Sequence, residues 1–243
     1  MYTFRLRDSA AWRAYLARWG FVVIENVGCP VTNASLCERF EEDLAELGTN
    51  ACLRDLRSLS TDTLPGVCSK GIFKEPTSGF GHGRFAWDTR VVCEKVFHEL
   101  YPDNTSGLRC SFDTAGFFPM HFADTKTHKP YKGKRVKTDT SWFHVDQGIR
   151  ATTGRECVQG FYTVLDSTPN TGGFVVCPGS HNAFASVIQD YTTTPGGNQS
   201  KSHASFVPLN LNLPNSRAAI IAHPPIFVEA PAGSVVLWDS RAI

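Results

Sequence analysis

Apolar residues along the chain fall into two textures. Toward the N-terminus they recur at helical spacing. Trp12, Tyr15, Leu16 and Trp19 occupy i, i+3, i+4 and i+7, with Asp8 or Ser9 as a cap ahead and Gly20 as a stop behind. The run Phe21 to Val27 predicts a short apolar strand. After Pro30, the positions Leu36, Phe40, Leu44 and Leu47 mark a second amphipathic helix ended by Gly48. A third helix is predicted from about Asp88 to Leu100, with Val92, Val96 and Leu100 on one stripe and Pro102 beyond it. Residues 60–85 are rich in Gly, Ser, Thr and Pro and read as a long surface excursion.

From residue 108 onward helical periodicity disappears and short β-rich runs alternate with turn signals. Strands are predicted near 108–113, 142–146, 157–165, 173–177, 205–211, 226–229 and 234–239. The turn chemistry between them includes Pro169-Asn170-Thr171-Gly172-Gly173, Pro178-Gly179 and Pro231-Ala232-Gly233. Helices first and many strands after predict one domain, mainly β with flanking helices. Residues 1–107 form a helical or mixed region packed on the outside of a barrel or jelly roll formed by residues 108–243. No internal repeat or low-complexity tract interrupts it.

Composition narrows the class. A chain of 243 residues can bury a core without disulfide or metal staples. A formal net charge of +1 supplies no field for nucleic acid or anionic membranes, so neither is expected as a partner. No run approaches the ~20 apolar residues of a membrane span. The stretch Met1 to Arg7 lacks the apolar core of a signal peptide, which predicts a cytoplasmic protein. Cysteines 29, 37, 52, 68, 93, 110, 157 and 177 contain no C-x-x-C pair and read as reduced residues filling apolar gaps. The sequons at Asn33, Asn104 and Asn198 then read as chance. Residues 126–137 carry six Lys or Arg but also Pro130 and Gly133, as a solvated loop does.

Several catalytic signatures are absent: no G-x-S-x-G elbow, no G-x-G-x-x-G after a strand, no Walker loop and no H-E-x-x-H. What remains is Ser141-Trp142-Phe143-His144-Val145-Asp146-Gln147. Side chains two apart on a strand share a face, so His144 and Asp146 project together. They supply two of the three ligands of a 2-His-1-carboxylate facial triad, which leaves open positions on an octahedral Fe(II). The same spacing also suits ordinary surface or hydrogen-bonding residues.

The downstream order separates these readings. It runs Val158-Gln159-Gly160-Phe161-Tyr162-Thr163-Val164-Leu165-Asp166, then Asn170-Thr171-Gly172-Gly173 through Cys177-Pro178-Gly179-Ser180-His181, then Ala232-Gly233-Ser234-Val235-Val236-Leu237-Trp238-Asp239-Ser240-Arg241. This set resembles the phytanoyl-CoA dioxygenase family of Fe(II)/2-oxoglutarate oxygenases, over about residues 140–182 and 230–243 and more faintly over 10–30. The resemblance implies a double-stranded β-helix (a jelly-roll, cupin-like core) with iron at its open mouth. It implies His144 and Asp146 as metal ligands and catalytic residues, 2-oxoglutarate as co-substrate, ascorbate as reductant and a small organic molecule as substrate. In such enzymes dioxygen converts 2-oxoglutarate to succinate and CO2 and delivers its second oxygen atom to a substrate C–H bond. Tyr162 falls where the family places an aromatic residue beside 2-oxoglutarate; an ordinary core tyrosine is the alternative. In the family the Pro-Gly-Ser-His turn is structural, which implies a structural His181. His121, His128, His203 and His223 have no spacing argument for ligation and read as loop or surface histidines.

One departure matters. The family's second histidine lies a few residues after the Trp-Asp-Ser-Arg element and its 2-oxoglutarate arginine lies further along, whereas this sequence ends at Ala242-Ile243. The expectation is a core truncated at its C-terminal strand. Trp238, Ser240 and Ala242 are expected inward and Arg241 on the opposite face, in a salt-bridging or rim role. Two alternatives to the oxygenase therefore stay open: a non-catalytic binding module of the same fold, and a fragment lacking the distal metal-binding His. Substrate contacts are expected in 60–85 and 120–140, where His82, Arg84 and the basic stretch could meet an anion.

Overall fold

The computed structural model describes residues 2–49, 52, 55, 58, 79–110, 115–116, 142–148, 153–193 and 206–243. In chain order the elements are β1 (Thr3–Arg5), α1 (Ser9–Trp19), β2 (Phe21–Glu25), α2 (Pro30–Glu46) and α3 (Arg84–Leu100). There follow β3 (His144–Val145), β4 (Val158–Thr163), β5 (Phe174–Val176), α4 (Phe184–Thr193), β6 (Val207–Pro208), α5 (Pro214–Ala222), β7 (Ile226–Val228) and β8 (Ser234–Asp239). A four-stranded sheet has the order β1-β2-β8-β4, and β3–β6 and β5–β7 form separate two-stranded ribbons. Among the described residues these sheets do not close into a barrel, and helix accounts for more residues than strand. No helix among them is long and apolar enough to cross a membrane.

The four-stranded sheet is the middle layer. Val22 and Ile24 of β2 and Val235 and Leu237 of β8 point to one side, where Trp12, Leu16, Leu36, Cys93 and Val96 pack from α1, α2 and α3. Phe21, Val23 and Val236 point to the other, against Val176 and Val228 of the β5–β7 ribbon. Burial on both faces explains why β2 reads as an unbroken apolar run rather than an alternating one. The run ends where Asn26 takes a left-handed φ of 55° and turns Val27 out of the strand.

The first two helices follow their predicted stripes and stops, although Asp8, at the N-cap of α1, makes no side-chain capping bond. α1 ends at Gly20 in the left-handed conformation, and its buried stripe is Trp12 and Leu16. α2 starts with Pro30 at its first position and stops at Leu47-Gly48, although Leu47 is exposed. α3 begins at Arg84, four residues earlier than its periodicity predicts, because its cap comes from elsewhere in the chain. Buried Asp43 of α2 accepts the Arg84 and Phe85 amides at 3.1 and 2.9 Å. Gly83 permits that approach: a Cβ there would lie 2.2 Å from Asp43 Oδ2.

The second half departs from the expected texture. Helical structure does not disappear after residue 108, because α4 and α5 occur there. α4 carries β-branched Val187, Ile188, Thr192 and Thr193, which have low helix propensity. It folds because Phe184, Val187 and Tyr191 bury one face with Ala219 of α5 and with Val145 and Val207 of the β3–β6 ribbon. Asp190 of α4 in turn caps α5, accepting the Ser216 amide at 2.7 Å and the Ser216 hydroxyl at 3.0 Å. Of the strand predicted at 108–113, Leu108 to Cys110 carry no strand and 111–113 lie outside the described residues. The predicted strands 142–146 and 205–211 shorten to two-residue β3 and β6, while 234–239 matches β8 residue for residue.

His181 braces α1 to the Pro178-Gly179-Ser180 turn, in keeping with a structural role. Its Nε2 donates to the Ala17 carbonyl at 3.1 Å, and Nδ1 is buried without a partner among the described residues. A Cβ at Gly20 would come within 2.7 Å of that Nδ1, so Gly20 serves both the helix stop and the brace. Burial holds the His181 pKa below its ordinary 6.5 by disfavouring the charged ring in the folded chain.

Two outcomes follow from these buried groups. Asp43→Ala is expected to cost about 1–3 kcal/mol, read from the urea midpoint, by leaving two α3 amides uncapped. For His181, stability is expected to be full above its ordinary 6.5 and to decline as pH falls below it, since the unfolded chain then binds a proton that the folded chain does not. Denaturant midpoints across that range should flatten in His181→Gln.

Candidate functional site

The short ribbon β3–β6 sets the site. His144 pairs with Pro208 and Val145 with Val207. Fully buried Val145 anchors the strand in the α4–α5 core, so its neighbours His144 and Asp146 project together to the other side. Both side chains are 23% exposed, accessible to a ligand but backed by protein.

His144 is held by aromatic residues and by one carbonyl. Its ring stacks on Trp142 at 3.9 Å with 6° between planes, and Phe206 meets it edge-on at 5.7 Å. Nδ1 lies 3.0 Å from the Trp142 carbonyl oxygen, which can only accept, so Nδ1 carries the proton. Nε2 therefore turns outward, 3.2 Å from Asp146 Oδ1. The other carboxylate oxygen, Oδ2, accepts the Trp238 indole N–H at 3.0 Å.

In this arrangement an imidazole nitrogen and a carboxylate oxygen face each other at a distance that a hydrogen bond or a shared metal ion would satisfy. Ligands on adjacent octahedral positions about 2.1 Å from an ion are about 3.0 Å apart, so the 3.2 Å spacing suits a metal. The carbonyl behind the histidine and the donor behind the carboxylate are the outer-shell partners that metal ligands characteristically have. Among the described residues no group of three His, Cys, Asp or Glu converges on one point; His144 and Asp146 are the two that meet here.

The chain after Asp146 is pinned. Buried Gln147 donates to the Gly154 carbonyl at 2.8 Å and accepts the Glu156 amide at 3.2 Å and the Ser240 hydroxyl at 2.8 Å. Trp238 and Ser240 thus lie on the Asp146 side, as alternation from β8 predicts. Arg241 pairs with Asp239 at 2.9 and 2.7 Å, and its remaining nitrogen donates to the Thr153 carbonyl at 3.2 Å. Burial alone would raise the Asp239 pKa, but this guanidinium holds it below the ordinary carboxylate value. The salt-bridging role expected of Arg241 is the one observed.

Tyr162 is not brought to His144 and Asp146. It does share a side with Gly160 and Val164, but that side faces the helices and packs with Trp12, Leu16 and Val96. Its hydroxyl donates to Asn33 Oδ1, and burial raises its pKa to about 12. The residues of β4 on the Trp238 side are Gln159 and Phe161. Phe161 and Phe174 flank the indole at 6.0 and 4.9 Å. Pairing with β8 decides this register, sending Gln159 and Phe161 to the Trp238 side and Tyr162 to the helices.

His223 lies outside the site, its Nδ1 2.9 Å from the Pro178 carbonyl oxygen. His82 and Arg84 are exposed at the start of α3, on the helical side of the sheet. His121, His128, His203, the basic stretch 126–137 and the expected substrate loops at 60–78 and 120–140 lie outside the described residues. Sequence reasoning missed the Trp238–Asp146 and Gln147–Ser240 contacts. Their only signal was the presence of both residue pairs in separate family motifs.

The model of the phytanoyl-CoA dioxygenase (PhyH) family matches residues 16–243. No curated protein matches the chain. A crystal structure from Salmonella typhimurium LT2, described as a candidate oxidoreductase, superposes with a TM-score of 0.52 at 10% identity, over 99% of this chain and 68% of the other. That likeness is one of fold.

Tyr162→Phe tests the placement of Tyr162. It is expected to cost about 1 kcal/mol through the lost Asn33 contact and to leave Mn(II) affinity unchanged, measured by denaturation and by titration.

Proposed function

Since the chain belongs to the phytanoyl-CoA dioxygenase family, we propose that it is an Fe(II)- and 2-oxoglutarate-dependent dioxygenase that oxidises a small organic substrate, with His144 and Asp146 as its iron ligands. The observation that carries this reading is the 3.2 Å approach of His144 Nε2 to Asp146 Oδ1, with the second polar atom of each side chain already committed. Held by these residues, Fe(II) would let dioxygen act as the oxidant, one oxygen atom going to 2-oxoglutarate as it becomes succinate and CO2 and the other to a substrate C–H bond.

The chain's own residues supply position and shielding. The Trp142 carbonyl keeps His144 in the tautomer that offers Nε2. Trp142 and Phe206 cover the imidazole ring, and the Phe161–Phe174–Trp238 cluster lies behind the carboxylate. An apolar surround of this kind limits water around the reacting centre. On this reading β4, β8 and the two ribbons are parts of a double-stranded β-helix, and residues 1–107 form one domain with it, adding β1 and β2 to its sheet and packing their helices outside. No side chain is required as a strong general base.

The test uses purified protein under reducing conditions with Fe(II), 2-oxoglutarate and ascorbate. Oxygen uptake and succinate are the expected result, with His144→Ala and Asp146→Ala each removing succinate formation and weakening Fe(II) binding by more than about 100-fold, beyond the loss typical of an outer-shell partner. No succinate, together with equal Fe(II) titrations for the parent and His144→Ala, overturns the proposal in favour of a non-catalytic binding module.

A further inference from the structure

Trp238 is placed by three independent constraints. Its backbone sits in the middle of the four-stranded sheet, opposite Phe21 of β2 on one side and Gln159 of β4 on the other. Its ring lies 4.9 Å from Phe174 and 6.0 Å from Phe161, which leaves the indole little rotational freedom. Its Nε1 donates to Asp146 Oδ2 at 3.0 Å. An indole has one N–H and no acceptor, so the interaction runs in one direction only.

The consequence concerns the Asp146 carboxylate. The terminal torsion of an aspartate is broad and nearly two-fold, so an unrestrained carboxylate can turn to offer either oxygen or both. Here Oδ2 is held by a donor on a rigid ring, and Oδ1 alone faces His144 Nε2. Resting on the metal-site reading above, we infer that Trp238 is a positioning residue that keeps Asp146 a one-oxygen ligand. It thereby biases the site toward small octahedral ions over larger ones. Ca(II) accepts carboxylates through both oxygens in six- to eightfold coordination, whereas small divalent ions demand near-octahedral geometry from single oxygens.

The experiment titrates the whole protein with Mn(II) alone, reading unbound Mn(II) by electron paramagnetic resonance, and then competes it with Ca(II). Parent, Trp238→Phe and Asp146→Ala are compared, with thermal melting followed in parallel. Trp238→Phe is expected to bind Mn(II) about 10–100-fold more weakly, to lose Mn(II) to Ca(II) more readily than the parent, and to melt within a few degrees of it. Benzothienylalanine at position 238 keeps the bicyclic shape and replaces only the N–H by sulfur. It is expected to behave as Trp238→Phe does, and it decides the matter if phenylalanine lowers the melting temperature further. Unchanged Mn(II) affinity and Ca(II) competition in the benzothienyl protein, with the parent binding Mn(II) and Asp146→Ala not, overturns this inference alone. A parent that binds Mn(II) no better than Asp146→Ala overturns the metal-site reading as well.

Discussion

The antiparallel pairing of β2 with β8 governs the rest of the molecule. Phe21 to Ile24 stand opposite Trp238 to Val235, and the ladder is continued by the Asp239 amide donating to the Gly20 carbonyl at 2.9 Å. Both strands are buried on both faces, so their backbone groups have no water to turn to and must find each other. The pairing joins the two ends of the chain, which makes it a costly closure that only the burial of both layers can offset. Once formed, it assigns every alternate side chain. Val235 and Leu237 go to the helical layer, and Val236 and Trp238 go to the ribbon side.

From that assignment the site acquires its shape. Trp238 can reach Asp146 only because the β2–β8 register turns its indole to the ribbon side. Ser240, two residues on, meets Gln147 for the same reason. The β3 strand that carries His144 is two residues long and pairs only with the equally short β6. So slight an element does not hold His144 and Asp146 in place by its own ladder. The Trp142 carbonyl, the Trp238 indole and the Gln147 amide supply the remaining restraint; Trp238 lies on β8, and Gln147 accepts from Ser240 just beyond it.

Buried polar residues away from the site have another task. Asp43 caps α3, Asp190 caps α5, and His181 ties α1 to the turn after β5. Each satisfies or braces the end of an element that is distant in sequence, the role that most buried polar groups serve. His144 and Asp146 differ from these three because their remaining polar atoms face one another rather than a backbone donor or acceptor.

Several features were settled by sequence alone. The stripe of α1 with its Gly20 stop, the start of α2 at Pro30 and the span of β8 are local matters of periodicity, caps and turn residues. So was the shared face of His144 and Asp146, which needs only the two-residue repeat of a strand. Tertiary structure decided what depends on a distant partner. The early start of α3 needs Asp43, and α4 exists because Phe184, Val187 and Tyr191 are buried despite the β-branched residues around them. The side of the sheet that Tyr162 faces follows from its pairing with Val235, since a one-residue change of register sends a side chain to the other layer. The indole N–H behind Asp146 lies 92 residues away in the chain, beyond the reach of any local pattern.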